Sequence, residues 1–580
     1  MFDEKSLLEI ERRRQQWEGG TLRKSLDRFG ASESPNKYYT PLDIRNFDFL
    51  DKLGFPGEYP FTAGVYPCMV PGSGPETGGV GGGGLVRAGG YTGYATAEDT
   101  RDYYINERVR GRKGGPNLAF DLPTQLGLDS DNTRSRGEVG RTGVAVDTLE
   151  DFEIIYEAFQ GENDLDKISS AWTINAPANI ILAMYVALSE KRGISLSKLR
   201  SSPQNDILKE YIARGTYIFP PRPSLRLFRD SLTYCTEHMP LTNVVNIGGY
   251  HIREAGATRV QTLAFTLSNA IAYMQTGIDA GLEPDSFLPR FVLYSMSGSM
   301  ELLKEIAAWR ALRRMWANIT RFRFGAKNPR SWILRSLGGS LNGYWTATSQ
   351  RPLNNLTRAV LGGFAGALCS DIPRVAPCYD EPLGLGWSTE GRQLSEDAAR
   401  IIQYEAKLAE VSDPLAGSYY IESMTDQIEK ETMELIKKID DMGGSVAAIE
   451  RGYMQRSVAQ SAYEYQRRFE RCEEVVVGVN AFTDEHQLEV LPNRSVPDPY
   501  DPEKRDKAEE KQIRKLGRVR SQRDNNRVNR VLADIRKAAS DEKTNLIPLF
   551  VGAVKAYATI GEICGVLREV FGEYSGYGKV

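Results

Sequence analysis

Asn243-Val244-Val245-Asn246-Ile247, followed by Gly248-Gly249-Tyr250-His251-Ile252-Arg253-Glu254-Ala255-Gly256-Ala257, reads as a short apolar strand that passes through two glycines into Tyr250-His251. Histidine is scarce in this chain: His238, His251 and His486 are the three in 580 residues. At the carboxyl end of a strand, where α/β folds place their chemistry, His251 is a candidate hydrogen-bond donor or general acid. The other reading is an ordinary histidine at a strand end, and the residues alone leave both open.

Similar runs lie on either side of this one. Leu118–Leu122, Ser169–Ile174, Arg290–Tyr294 and Trp332–Arg335 are short and strand-like, and longer helical segments separate them. Repeated β–α alternation from residue 46 to 400 predicts a parallel sheet or a (β/α)8 TIM barrel. Residues 1–45 open with a charged helical pattern, Glu4 to Trp17, and read as an N-terminal arm that packs on something else. Residues 401–580 read as a helical C-terminal region. Within it, Pro502 to Asn526 is dense in charges of both signs, the pattern of a solvated helix face with i,i+4 pairs. Ile547 to Val570 is more apolar and reads as helices closing the domain. Pro71 to Gly93 holds eleven glycines and formally satisfies GxGxxG at Gly79 to Gly84, but no strand precedes it and no helix follows. It reads as a flexible loop or as a lid whose bare backbone closes over a ligand.

Bulk properties remove several classes. A 41% apolar composition supplies a large core, and a net charge of −3 leaves no basic field for nucleic acid. No apolar run is long enough to span a membrane and no secretion signal opens the chain, so a cytoplasmic protein is expected, with neither nucleic acid nor membrane as partner. Six cysteines without CxxC spacing indicate neither a zinc site nor a disulfide framework. HExxH, P-loop and GxSxG motifs are absent.

Longer strings carry more information. Pro56-Gly57, Pro60-Phe61-Thr62, Gly64 and Tyr66-Pro67 are followed by Gly90-Tyr91-Thr92-Gly93-Tyr94-Ala95-Thr96-Ala97-Glu98 and Ala119-Phe120-Asp121-Leu122-Pro123-Thr124. With Gln204 to Glu210, Tyr250-His251, Glu254 to Ala257, Asp413-Pro414 and Gly417-Ser418, this order resembles the methylmalonyl-CoA mutase family. The resemblance implies a (β/α)8 barrel whose axis takes the pantetheine arm of an acyl-CoA, and a radical rearrangement of the carbon skeleton that depends on adenosylcobalamin. It implies that Tyr91 packs beside the adenosyl group and that Glu381 contacts its ribose. His251 would hydrogen-bond the thioester carbonyl, with Tyr250 and Gln204 beside it. Arg214 would hold a free carboxylate on the acyl group by its guanidinium fork. Family members acting on acyl groups without that carboxylate replace this arginine. Arg290, Leu337 and Gly339 complete the expected substrate-binding positions.

The family's cobalamin domain carries Asp-x-His-x-x-Gly. Here the nearest string, Asp484-Glu485-His486-Gln487-Leu488-Glu489, has Glu in place of Gly, and it follows Val477 to Asn480, which resembles the inter-domain segment. The cobalamin-binding domain is therefore expected to be absent. A small cobalamin-binding subunit is expected to ligate the cobalt, in a heterotetramer of two large and two small subunits.

Two departures bear on the substrate. Leu337 and Gly339 stand where methylmalonyl-CoA mutases carry a polar His-x-Gln triplet, and the next strand is changed to Cys369–Cys378. A roomier, less polar wall predicts a substituted succinyl-CoA to malonyl-CoA interconversion with a bulky aryl or alkyl substituent, of the (2-aminobenzyl)malonyl-CoA type. Methylmalonyl-CoA mutase itself is the alternative. A non-catalytic subunit and a CoA-ester binding module are two others.

Overall fold

The computed structural model describes residues 3–29, 38–67, 91–93, 95–109, 114–293, 296–336, 341–369, 375–376, 378–383, 388–483 and 502–576. These form six strands: β1 Tyr91–Thr92, β2 Asn117–Ala119, β3 Ser169–Thr173, β4 Arg200–Pro203, β5 Val245–Ile247 and β6 Phe291–Leu293. Every ladder is parallel, and each strand pairs with the next in the chain, β1 to β4 in one sheet and β5 with β6 in a second. Backbone bonds from Asn243 N to Ser201 O (2.8 Å) and Asn246 N to Gln204 O (2.9 Å) carry the order from β4 to β5. Leu293 continues it to Ser336 through an isolated parallel bridge. Helices cross between the strands, among them Leu149–Tyr156, Ala178–Lys191, Pro221–His238, Arg259–Asp279 and Leu302–Asn318. This is the alternation expected from the sequence, in a largely helical α/β protein. The described strands do not close into a ring, so the eight-stranded barrel is not drawn by them.

Several strands are shorter than their apolar runs. The run at Leu118 stops at Ala119, because Asp121 accepts from Thr124 N (2.9 Å) and caps the turn Leu122–Gln125, with Pro123 in its first turn. Trp332 ends the helical turn Pro329–Trp332 instead of opening a strand, and the extended backbone starts at Ile333.

The helix Ala178–Lys191 is buried on every side through Ser189, which the chain achieves by covering it with later elements. The main apolar core runs without a break from Ala97 to Leu567 and joins residues of β2, β3, β5 and β6 to the helices Ile547–Lys555 and Ile560–Phe571. The helices after residue 400 thus share the core of the sheets. The helix Glu4–Trp17 buries no residue, while Ile44, Phe47, Leu53 and Ala63 form a small cluster packed on Tyr419.

One charged segment differs from its sequence reading. The helix Pro502–Gln522 turns its polar face inward: Gln512 Nε2 donates to Asp147 Oδ2 (2.7 Å), Lys515 pairs with Asp151 (2.6 Å), and Arg520 pairs with Asp129 (2.6 Å). Lys511, Lys515, Arg518 and Arg520 find partners between Glu98 and Asp151, so one face of the helix is an intramolecular seam, while Lys507, Glu510 and Arg514 stay on an exposed face. Among the described residues no helix is long and apolar enough to cross a membrane, and no group of three acidic, His or Cys side chains could hold a metal.

Candidate functional site

The carboxyl ends of β4 and β5 converge on one polar group. After β4 the chain passes Gln204, Asn205 (φ 48°) and Asp206 and enters a π-helical turn, Glu210–Arg214. After β5 it passes Gly248-Gly249 and enters the one-turn helix Tyr250–Glu254. Asp206 ties the two ends together: its Oδ2 accepts from Gly248 N (2.8 Å) and its Oδ1 from the Tyr273 hydroxyl (2.7 Å). The glycines are required by space. A Cβ on Gly248 would sit 2.9 Å from the Tyr250 ring, and one on Gly249 would sit 2.6 Å from Met296 Sδ and 2.7 Å from Thr266 Oγ1.

Four of the expected residues meet here. Gln204 Nε2 donates to the Tyr250 hydroxyl (3.2 Å), and Asn175 Nδ2 donates to Gln204 Oε1 (2.9 Å). The Tyr250 and His251 rings lie 3.9 Å apart, centroid to centroid. Arg214 Nη1 donates to Glu210 Oε1 (3.2 Å) and Thr216 Oγ1 (3.1 Å). Beneath them Lys209 and Glu210 form an ion pair of 2.6 Å in which neither side chain is exposed. Burial raises the Glu210 carboxyl, but Lys209 and Arg214 outweigh it and hold the group below its ordinary value, so it is ionised.

His251 sits in this field as a neutral imidazole. Burial lowers its pKa far below the ordinary value, and the charges of Lys209 and Arg214 add to the effect. Its Nδ1 is buried and has no hydrogen-bond partner, which is costly unless a ligand meets it. A neutral imidazole donates a hydrogen bond at neutral pH and does not act as an imidazolium acid. Of the two roles expected for His251, the donor is the one this environment supports.

The remaining expected residues lie elsewhere. Arg290 ends the turn Leu288–Arg290 just before β6, at the opposite end of the parallel strands from His251. Burial lowers its pKa, and Arg200 and Arg330 add to this; burial and then Arg290 do the same to Arg335. The amino ends of the strands therefore carry mutually repelling arginines, a setting an anion would relieve. Glu381 opens a short turn, Glu381–Leu383, and shares no hydrogen bond or ring contact with the His251 group among the described residues. Burial first, then Asp380, pushes its carboxyl up to about 7, with the Cys378 backbone acting the other way. Tyr91 has its backbone in β1, paired with Asn117, and its side chain lies outside the described residues. So do Leu337, Gly339, His486 and the glycine-rich residues 71–90.

The sequence reading gives no site role to Asn175, Asp206, Lys209, Glu210, Thr216 and Tyr273, although Asp206, Lys209 and Glu210 lie in a string that marks the family. Three charged side chains, Asp206, Lys209 and Glu210, between the apolar ends of a strand and a turn were the available signal. Asn175 and Tyr273 had none, because they reach the site from 31 and 67 residues away.

Comparison with known proteins gives the family. The family model for methylmalonyl-CoA mutase matches residues 31–573. The 2-hydroxyisobutanoyl-CoA mutase large subunit of Aquincola tertiaricarbonis is 37% identical over 98% of both chains. The methylmalonyl-CoA mutase of Escherichia coli is 36% identical over 92% of this chain and 71% of its own. The human mitochondrial methylmalonyl-CoA mutase is 36% identical over 90% of this chain and 66% of its own. Matched over nearly its whole length, the chain belongs to the methylmalonyl-CoA mutase family of isomerases.

Proposed function

We propose that this chain is the catalytic large subunit of an adenosylcobalamin-dependent acyl-CoA mutase, built on a (β/α)8 barrel, whose substrate carries a free carboxylate on its acyl group. The observation that carries the reading is that Arg214, anchored by Nη1 to Glu210, acts electrostatically on His251, whose Nδ1 is buried without a partner. A carboxylate taken by the guanidinium would place the thioester carbonyl toward the imidazole. There a fixed neutral donor stabilises charge that develops on the carbonyl oxygen as the group migrates. Gln204 and Tyr250 hold each other and border the same space. Arg290, Arg335 and Arg200, at the other end of the strands, suit the phosphates of coenzyme A, so the pantetheine arm runs along the strands between the two ends.

The raised, largely buried Glu381 carboxyl fits a pair of ribose hydroxyls, and with Tyr91 it would hold the adenosyl part of the cofactor. Bound adenosylcobalamin supplies the radical chemistry, the reversible removal of a hydrogen atom from the acyl group. His238 ends a helix beside Glu237, and His251 is buried against Tyr250, and on this reading neither serves the cobalt. A small subunit that ligates the cobalt is the partner proposed here. The large-subunit name of the Aquincola relative supports this, and two large with two small chains is the proposed assembly.

Arg214 separates this reading from a hydroxyacyl substrate of the kind the Aquincola relative's name states. Substituted malonyl-CoA to succinyl-CoA interconversion is the reaction proposed, methylmalonyl-CoA itself included. An aryl or branched substituent is the narrower form, and it rests on Leu337 and Gly339. The test is reconstitution with the cobalamin-binding subunit and adenosylcobalamin, followed by competing methylmalonyl-, arylsuccinyl- and 2-hydroxyisobutanoyl-CoA, read by mass spectrometry. Turnover of either carboxylated ester, lost in Arg214→Ala, supports the reading. Preference for the hydroxyacyl ester overturns it, and preference for methylmalonyl-CoA overturns the bulky substituent alone.

A further inference from the structure

Glu210 is the most heavily engaged side chain of the site. Its Oε1 accepts from Asn175 Nδ2 (2.6 Å), Lys209 Nζ (2.6 Å) and Arg214 Nη1 (3.2 Å), and its Oε2 accepts from the Thr216 amide (3.0 Å) and hydroxyl (2.6 Å). Neither Glu210 nor Lys209 is exposed. Burying an ion pair so completely stabilises a fold no better than well-packed apolar side chains would, so stability is a poor account of this one. What it delivers is a guanidinium held at one nitrogen. Among the described residues Arg214 Nη1 makes both of its hydrogen bonds, and Nε and Nη2 make none. Arg214 keeps 22% of its side chain exposed, while everything beneath it is sealed.

We infer that Glu210 is the positioning residue for carboxylate recognition: with Thr216 it holds Arg214 by Nη1, so that the free edge of the guanidinium faces the acyl group. Lys209 has a part in this. A lone Glu210 would neutralise Arg214, and an incoming carboxylate would meet a closed ion pair. Lys209 Nζ, at 2.6 Å from Glu210 and also facing Asp206, shares Glu210 with Arg214, so that part of the positive charge of Arg214 remains for the ligand. The inference rests on the proposal that Arg214 takes the acyl carboxylate, and it adds that an arginine without Glu210 beneath it would not discriminate.

The test is binding of CoA esters to the full-length chain by titration calorimetry, comparing methylmalonyl-CoA and succinyl-CoA with propionyl-CoA, which lacks the carboxylate. Arg214→Ala reports on the underlying reading, which fails if that variant keeps the wild-type preference for the carboxylated esters. Glu210→Gln is expected to weaken the carboxylated esters by about tenfold or more and to leave propionyl-CoA within about twofold. Combined with Arg214→Ala it adds nothing further, because both changes remove one interaction. Lys209→Met with Glu210→Gln removes the buried pair together and should show the same selective loss. Thr216→Val, which leaves both charges in place, should show a smaller loss with the same selectivity if Glu210→Gln does not fold. If Arg214→Ala loses the preference while the Glu210 and Thr216 variants keep it, or weaken all esters equally, Glu210 is a structural residue and the inference is overturned.

Discussion

Replacing Glu381 and His251 in turn separates two titratable groups that the site treats in opposite ways. Burial and Asp380 move the Glu381 carboxyl from 4.5 to about 7, which corresponds to ~3 kcal/mol in favour of its neutral form. At that value roughly nine-tenths of it is protonated at pH 6 and roughly one-tenth at pH 8. If ribose hydroxyls donate to its carboxylate, the active form is the ionised one. The sign follows: activity is present above pH 7 and is lost as pH falls through 7, by about tenfold between pH 8 and pH 6. His251 cannot supply this limb, because its imidazole is held neutral across the whole range. The assay is kcat/KM for the best CoA ester at limiting adenosylcobalamin, from pH 5.5 to 8.5, in the reconstituted enzyme. Glu381→Gln should flatten the profile. His251→Ala should keep the limb at about 7 while lowering kcat by about a hundredfold to a thousandfold, the usual cost of a lost donor to developing charge. A limb that survives Glu381→Gln and vanishes in His251→Ala would refute the assignment, and with it the neutral-donor role of His251.

Three further outcomes follow from the packing. Arg310 is fully buried between Glu422 (2.5 Å) and Asp413, so Glu422→Ala takes one of two carboxylates from a buried guanidinium and should cost about 1–3 kcal/mol of stability in chemical denaturation. Arg310→Met leaves both buried carboxylates without their cation and should cost more, about 3–5 kcal/mol. Gly249→Ala drives a methyl group into Thr266 Oγ1 and Met296 Sδ; we expect a chain that folds, by circular dichroism, and a kcat/KM at least about tenfold lower, because His251 is carried by the next turn. Arg290→Ala should raise KM for every CoA ester alike and reduce the salt dependence of KM, with kcat nearly unchanged, since the side chain lies at the far end of the strands from the acyl group.

Much of this protein is written locally. The parallel α/β alternation follows from short apolar runs spaced by helical segments, and β3, β5 and β6 lie within the runs at Ser169, Asn243 and Arg290. His251 stood out because imidazole is rare in this chain and follows a strand and two glycines. Tyr250, Gln204 and Arg214 came from motif resemblance, which also marked the family. Other features depend on partners far away in the chain. The polar face of Pro502–Gln522 reads as solvated because charge pattern alone cannot show which acids it will meet, and those are Asp129, Asp147 and Asp151, more than 300 residues earlier. Strand ends were set by capping at Asp121 and not by where the apolar run stopped. Hydropathy could mark Lys209 and Glu210 as charged but not as buried. Only the convergence of β4, β5, Asn175 and Tyr273 removes water from around them, and the loss of water is what makes the pair strong and keeps His251 neutral.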